Sequence, residues 1–312
     1  MDFFGILFGI ILLSQGGDIL TKSSVDISLK FSIPKIIIGM TIVSFATSAP
    51  ELIVSLNATI DGLPGFAIGN VLGSNIANIG LVLGIITIIY PISLKQRFYY
   101  SDFPLLIIST MLFYFIIYTG NQISRFEGII LIISIILILL YLFMYQKKSI
   151  SEFTENLDSS EISIVKSLFY ILFSGTLLWL GSETLIKSAV SVANKFEISE
   201  RVISISMVAI GTSIPELAAS IVASLKKQND LSIGNLIGSN IFNLLVVIGI
   251  TSSILPINGV EDSVIYNDML WVVFFSVIIL PLAFVGRKNV LTRKKGIILL
   301  VLYLTFIIPL II

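Results

Sequence analysis

The chain has 312 residues, of which 56% are hydrophobic and only 12% are charged, and its mean hydropathy is +1.03. Soluble domains average about 25% charged residues, so this composition excludes a soluble globule and indicates a membrane protein. The nineteen basic and nineteen acidic residues cancel, which removes the net charge typical of a nucleic-acid-binding protein. The sequence has no Cys and no His, which excludes disulfides, zinc and haem sites and the usual nucleophilic triads. We therefore expect no enzyme activity and no cofactor, and any ligands to be oxygen atoms.

Ten apolar runs follow one another along the chain, each long enough as a helix to cross a hydrocarbon core of about 30 Å. A transmembrane β-barrel is excluded because its strands would alternate apolar and polar residues, and these runs are continuous. The sequence therefore predicts an all-α polytopic membrane protein with ten transmembrane helices. The runs cover residues 3–29, 35–60, 66–91, 103–119, 127–145, 164–193, 200–225, 231–256, 268–286 and 296–312.

A polar segment, residues 146–163, separates two halves of five spans each, 1–145 and 164–312. The Lys and Arg residues of the loops are distributed fourteen to one side of the membrane and three to the other. Because cytoplasmic loops carry the excess of basic residues, this bias predicts a cytoplasmic linker and two extracellular termini.

The two halves repeat one another at a constant offset along the chain. Between residues 47 and 80, fifteen of thirty-four positions are identical to the position 165 further on. The segment ATSAPEL (46–52) matches GTSIPEL (211–217), and IGNVLGSNIAN (68–78) matches IGNLIGSNIFN (233–243). Because each copy holds an odd number of spans, the second copy must enter the membrane the opposite way up. This predicts an inverted repeat, which in secondary transporters places the substrate at the midplane between the copies.

Two carboxylates, Glu51 and Glu216, lie near the centres of the second and seventh spans. A charged residue at that depth costs at least ~2.5–3.5 kcal/mol and needs a partner. One interpretation is a protonated acid that is hydrogen-bonded across helices. A bound cation is favoured because Pro50 and Pro215 precede the two acids, and a proline leaves a carbonyl one turn earlier without its helical hydrogen bond.

Further oxygen donors recur on the same helix faces at both copies. Hydroxyls in such helices often bond to their own backbone, but amide and carboxylate oxygens are the ligands of hard cations such as Ca²⁺, and Na⁺ would accept the same set. We therefore predict one site at which the two ions compete. Its candidate side chains are Thr47, Ser48, Ser74 and Asn78 in the first copy and Thr212, Ser213, Ser239 and Asn243 in the second.

Other repeated residues are predicted to be structural. The glycine pairs of the third and eighth spans are spaced for close helix packing, and Asn75 and Asn240 lie off the face of the candidate ligands. Asp18 and Glu183 each have a Lys four residues later, in the order that favours an ion pair within one helix.

ATSAPEL and GTSIPEL, each followed by a GNxxGSNxxN segment, resemble the α-repeats of the cation/Ca²⁺ exchanger superfamily. The likeness is to the compact archaeal and bacterial members of its sodium/calcium exchanger branch, which implies a prokaryotic cell-membrane protein that works as a monomer. It implies exchange of Na⁺ for Ca²⁺ by alternating access, in which the first and sixth helices slide across a core of the second, third, seventh and eighth. It also implies site roles: Glu51 and Glu216 as Ca²⁺ ligands with Thr47 and Thr212, and flanking Na⁺ positions from Ser48, Ser74, Ser213, Ser239 and carbonyls near Ser44 and Ala209.

The alternative functions are another type of exchange, a channel and an intramembrane hydrolase. The proton-coupled branch typically has Gly-Asn-x-x-Glu where this chain has Gly73 and Gly238, which argues against that branch. Proton-coupled or K⁺-assisted exchange is kept as the alternative to Na⁺/Ca²⁺ exchange. A channel is disfavoured because channels usually repeat by subunit symmetry, and an intramembrane metallohydrolase is disfavoured because the chain lacks an HExxH motif. The likeness departs at Asn243, where the archaeal relatives carry Asp.

Overall fold

The computed structural model describes residues 2–120, 122–149, 163–195 and 211–311. Ten helical segments occupy these ranges, and two short strands, β1 (Ile92–Ser93) and β2 (Val290–Leu291), pair antiparallel. The helices are α1 (Asp2–Lys30), α2 (Lys35–Ile60), α3 (Pro64–Ile89), α4 (Phe98–Gly120), α5 (Arg125–Ser149), α6 (Ile164–Lys195), α7 (Ile214–Leu225), α8 (Asn229–Ile254), α9 (Val264–Phe284) and α10 (Arg293–Ile311).

Eight of these helices are long and apolar enough to cross a membrane, and α7 is a shorter apolar helix. The α7 segment is preceded by residues 196–210, which lie outside the described residues, as does most of the linker. With α10, the described helices match the ten predicted spans in order, and the prediction of an all-α polytopic membrane protein is confirmed.

Two helices begin earlier than hydropathy predicts. The structure starts α4 at Phe98 instead of 103 and α9 at Val264 instead of 268, and each begins with a π-helical turn. A charged residue, Asp102, lowers the hydropathy at the start of α4. The structure nevertheless buries it, because the Nε atom of Arg97 lies 3.4 Å from its Oδ1 atom. A buried charge is tolerated when it is paired, which single-residue hydropathy cannot register.

The inverted repeat is visible in the backbone pairing. Ile92 pairs with Leu291 between β1 and β2, and Ile123 pairs with Ile257 in an isolated bridge. Ile257 is the repeat counterpart of Ile92, and Leu291 is the counterpart of Ile123 in the alignment of RFEGIIL with RKKGIIL, so the same contact is made twice. Because β1 precedes α4 and Ile123 follows it, the two contacts lie at opposite ends of α4, as an inverted repeat requires.

Glycines allow the central helices to approach closely. A Cβ atom on Gly238 of α8 would lie 2.5 Å from the Cα atom of Met40 on α2, so no larger residue fits there without a shift. Gly234, which is on α8 like Gly238, packs against Ile36 of α2. The predicted packing role is therefore confirmed for Gly234 and Gly238. The corresponding partners of the α3 glycines would be residues 201 and 205, which lie outside the described residues, so that prediction stays open.

The helices differ greatly in burial. In α8, 89% of the most apolar stretch is buried, compared with 28% in α1 and in α6. The α1 and α6 helices pack along each other, with Gly9 and Gly181 at their crossing. The helices α2, α3 and α8 are therefore part of the buried core, while the two long helices are peripheral.

The basic loops gather on one side of the molecule. Lys35 Nζ donates to Gln228 Oε1 at 2.7 Å, and Lys95 pairs with Asp230 at 2.5 Å. These contacts join the α1–α2, α3–α4 and α7–α8 loops, and the β1–β2 pairing adds the α9–α10 loop. These four loops, which the charge count assigns to one side of the membrane, are thus neighbours in the described part of the fold.

Candidate ion-binding site

The two predicted carboxylates are fully buried, Glu51 within α2 and Glu216 in the first turn of α7. The Oε1 atom of Glu216 accepts hydrogen bonds from Ser48 Oγ at 3.0 Å and from Ser239 Oγ at 3.3 Å. Its Oε2 atom and both carboxylate oxygens of Glu51 have no hydrogen-bond partner in the described part of the chain.

The two prolines next to these acids have different local structures. Pro50 lies inside α2, as predicted, whereas Pro215 lies in the first turn of an α-helix that begins at Ile214. Proline fits a first turn because the N–H group that it lacks would have no helical partner there. Because residues 196–210 lie outside the described residues, the position of Pro215 within the predicted span 200–225 stays a prediction. The Gly211 carbonyl, which Pro215 cannot bond, instead accepts from Ser182 Oγ at 3.2 Å.

The predicted hydroxyls meet across the repeat interface. Thr47 Oγ1 lies 3.3 Å from Ser239 Oγ, and Ser74 Oγ lies 2.7 Å from Thr212 Oγ1. The threonine of each copy therefore contacts the serine of the other copy in the same way. The Ser213 hydroxyl is buried and has no hydrogen-bond partner among the residues described.

The resemblance also names carbonyls near Ser44 and Ala209, of which the structure describes only Ser44. Ser44 Oγ donates to Gly39 O at 2.7 Å and to Asn235 O at 2.9 Å, so its hydroxyl ties α2 to α8, and only its carbonyl remains as a candidate ligand. Ala209 lies outside the described residues.

Two asparagines at the site were not predicted as site residues. Asn70 Nδ2 donates to Ser55 Oγ at 3.0 Å and to Glu51 O at 3.4 Å. In the second copy, Asn235 Nδ2 donates to Ser220 Oγ at 3.0 Å, and its Oδ1 atom accepts from Thr47 at 3.2 Å. The signal was present in the sequence, because each of these asparagines stands one helical turn before a predicted serine ligand.

The amides of Asn78 and Asn243 complete the site. Both side chains are fully buried, and both Oδ1 atoms lack a hydrogen-bond partner within the described ranges. Their Nδ2 atoms donate to Asn240 Oδ1 and Asn75 Oδ1, each at 3.1 Å. Asn75 and Asn240 also donate to each other's backbone carbonyls, which ties α3 to α8.

Seven buried oxygen atoms of this core lack a partner in the described residues. Buried polar atoms in proteins are almost always hydrogen-bonded, so a group of orphaned acceptors needs an explanation. Carboxylate, hydroxyl and amide oxygens are the donor set that hard cations take. No group of three acids, histidines or cysteines occurs among the described residues, so Glu51 and Glu216 are the acidic ligands that this site can offer. The atoms are Glu51 Oε1 and Oε2, Glu216 Oε2, Ser213 Oγ, Asn70 Oδ1, Asn78 Oδ1 and Asn243 Oδ1.

The two sides of the core are packed differently. A cavity of about 210 Å³ lies between α6 and the core, and its lining includes Val54, Phe66, Asn70, Glu183, Gly211 and Thr212. On the α1 side, a Cβ atom on Gly17 would lie 2.9 Å from Val222 Cγ2, and Asp18 forms an ion pair with Lys226.

The predicted ion pairs within single helices, Asp18–Lys22 (2.7 Å) and Glu183–Lys187 (2.8 Å), are both confirmed.

A larger cavity, about 900 Å³, lies between α2 and α6. Its lining is almost wholly apolar and includes Phe45, Ile53, Phe143, Leu172 and Trp179. It contains no carboxylate, so it does not offer the ligands that a cation needs.

An inverted repeat of membrane-crossing helices with ionisable groups buried where its copies meet defines the class of secondary transporters. Within that class the chain belongs to the sodium/calcium exchanger family, because the sequence model described as "Sodium/calcium exchanger protein" matches residues 1–144 and 166–311. The proteins of this family to which the chain is similar are transporters, not enzymes.

Several relatives match along nearly their whole length. The putative antiporter CaxA of Alkalimonas amylolytica is 34% identical over 96% of both chains. The sodium/calcium exchanger MaX1 of Methanosarcina acetivorans is 26% identical over 99% of this chain and 98% of its own. Among solved structures, the sodium-calcium exchanger NCX_Mj soaked with Na⁺ and Ca²⁺ superposes with a TM-score of 0.81 at 28% identity, covering 98% of this chain and 97% of that one.

Proposed function

We propose that this exchanger moves Na⁺ in one direction and Ca²⁺ in the other, with both ions competing for the site between Glu51 and Glu216. The observation that carries the proposal is the pair of buried carboxylates with three oxygens that have no hydrogen-bond partner in the described residues. Two negative charges balance one Ca²⁺ or two Na⁺, so occupancy by either ion neutralises the site. The similarity to MaX1 and NCX_Mj, both sodium/calcium exchangers, supports the same pair of ions.

We assign the ligands by their position around the two acids. Glu51, Glu216, Thr47 and Thr212 form the central position for Ca²⁺. The flanking oxygens, which suit Na⁺, come from Ser48, Ser213, Ser74, Ser239, Asn78 and Asn243, together with the carbonyls near Ser44 and Ala209. The contacts of Ser48 and Ser239 with Glu216 support this grouping, because they place both hydroxyls beside a carboxylate.

Access to the site alternates in this proposal by movement of α1 and α6 against the core. The cavity beside α6 supports an open path on one side, and the Asp18–Lys226 pair supports a closed path on the other. The basic loops, which include Lys226, are assigned to the cytoplasm. The structure then corresponds to a state that opens outward, with both termini outside and residues 146–163 in the cytosol.

Equilibrium binding of ⁴⁵Ca²⁺ to the purified protein tests the competition. We expect Na⁺ to displace bound Ca²⁺ with a sigmoidal dependence, because more than one Na⁺ replaces each Ca²⁺. Equal concentrations of K⁺ or choline serve as the control for ionic strength and should displace little. Displacement by acid alone, with no effect of Na⁺, would instead place the protein in the proton-coupled alternative, and a requirement for K⁺ would place it in the K⁺-assisted one.

A further inference from the structure

The hydrogen bonds of four asparagines, joined through the backbones of α3 and α8, form a ring between these two helices. Asn75 Nδ2 donates to Asn240 O at 3.1 Å, and Asn240 Nδ2 donates to Asn75 O at 3.3 Å. The Oδ1 atoms of the same two residues accept from Asn243 Nδ2 and Asn78 Nδ2, both at 3.1 Å. The ring is symmetric with respect to the repeat, because Asn240 and Asn243 are the repeat counterparts of Asn75 and Asn78.

The ring determines which way each amide faces. A backbone carbonyl can only accept a hydrogen bond, so Asn240 must direct its NH₂ group to Asn75 O. The Oδ1 atom of Asn240 is then directed to Asn78, which must offer its own NH₂ group. The oxygen of Asn78 consequently points away from Asn240, and it is buried without a partner in the described residues. The same steps, begun from Asn240 O, leave the oxygen of Asn243 free.

We propose that Asn75 and Asn240 are positioning residues that hold the amide oxygens of Asn78 and Asn243 toward the bound cations. This inference rests on the proposed function. A flipped amide would offer an NH₂ group to a cation, and that group is a donor that cannot coordinate it. Each positioning residue acts on the ligand of the other copy, so the ring also links the two halves of the site.

In the proposed site, Asn75 and Asn240 act on the ligands and not on the ion itself. Residues that hold the ligands of a metal in orientation contribute to affinity without touching the ion. Here the holding residue donates to a main-chain carbonyl of the opposite helix, so its own orientation depends on the approach of α3 to α8. Loss of Asn240 should therefore weaken cation binding only through Asn78.

A double-mutant cycle on the purified full-length chain separates this role from a structural one. We expect Asn240→Ala to lower the affinity for ⁴⁵Ca²⁺ about three- to tenfold, which is the range that one net hydrogen bond of orientation represents. In an Asn78→Ala background the same change should have no further effect on affinity, because the amide that it orients is gone. Asn75→Ala with Asn243→Ala forms an independent second cycle if the first variant folds poorly.

A matched control comes from the same helix. Ser232 Oγ donates to Ser220 O at 3.1 Å and is fully buried, but it has no contact with the ring. Ser232→Ala should lower Tm without changing Ca²⁺ affinity. Losses of affinity that add in both cycles, or no loss in Asn240→Ala, would overturn the positioning role alone. A wild-type protein that binds no Ca²⁺ would overturn the proposed function, and this inference with it.

Discussion

Replacing Glu51 or Glu216 by Gln is expected to reduce Na⁺-driven Ca²⁺ uptake at least about 100-fold while leaving a folded protein. Gln keeps the size of the side chain but removes one of two charges that face a divalent ion. Near 4 Å and at an effective dielectric constant of about 20, two unit charges interact by about 4 kcal/mol, and the second charge of a divalent ion doubles this value. The measurement is the initial rate of ⁴⁵Ca²⁺ uptake into proteoliposomes that hold equal amounts of each variant.

Glu183→Gln is the matched control for both substitutions. Its side chain is 47% exposed and is paired with Lys187 on the same helix, so its charge is already balanced by a neighbouring residue. We expect this variant to keep most of the uptake. An equal loss in all three variants would mean that transport does not depend specifically on the two buried acids.

Reversing the charge of Lys226 is expected to open the path on the α1 side. Glu183 is the repeat counterpart of Asp18, and Lys226 is the repeat counterpart of Asp61. The ion pair on the α1 side therefore corresponds to two acids, Glu183 and Asp61, on the α6 side. An attractive pair on one side only should favour the state in which α1 is closed over α7.

In Lys226→Glu an attraction becomes a repulsion, and we expect a shift of about tenfold toward the opened state, since about 1.4 kcal/mol corresponds to that factor. The chain has no Cys, so Val222→Cys, beside Gly17, supplies one label site. An impermeant maleimide added from the Lys226 side should react about tenfold faster in the charge-reversed protein. Lys227→Glu is the control of equal charge. Unchanged labelling in Lys226→Glu would show that the ion pair does not close this side.

Much of the core could be predicted because its sequence motifs occur in both halves of the chain. Glu51 and Glu216 are buried acids in otherwise apolar runs, and the repeat places them opposite one another; both features are visible without a structure. The odd number of spans per copy gives the inversion, which the paired bridges at Ile92 and Ile123 bear out. Ion pairs within a helix follow from a spacing of four residues alone.

Other features depend on contacts between distant segments. The start of α4 could not be found from hydropathy because Asp102 is buried together with Arg97. The roles of Asn70 and Asn235 depend on serines fifteen residues earlier, on the preceding helix. The orientation of Asn78 depends on Asn240 in the other copy. No local pattern encodes such bonds, because they exist only once the repeats have packed.

Coupled flux in proteoliposomes tests the central claim most directly. Vesicles loaded with Na⁺ and diluted into Na⁺-free medium with ⁴⁵Ca²⁺ should accumulate Ca²⁺, and ²²Na⁺ should leave at a rate that depends on external Ca²⁺. Vesicles with equal Na⁺ on both sides are the control and should show no net accumulation. Ca²⁺ uptake that follows an imposed pH gradient and ignores the Na⁺ gradient would contradict the account.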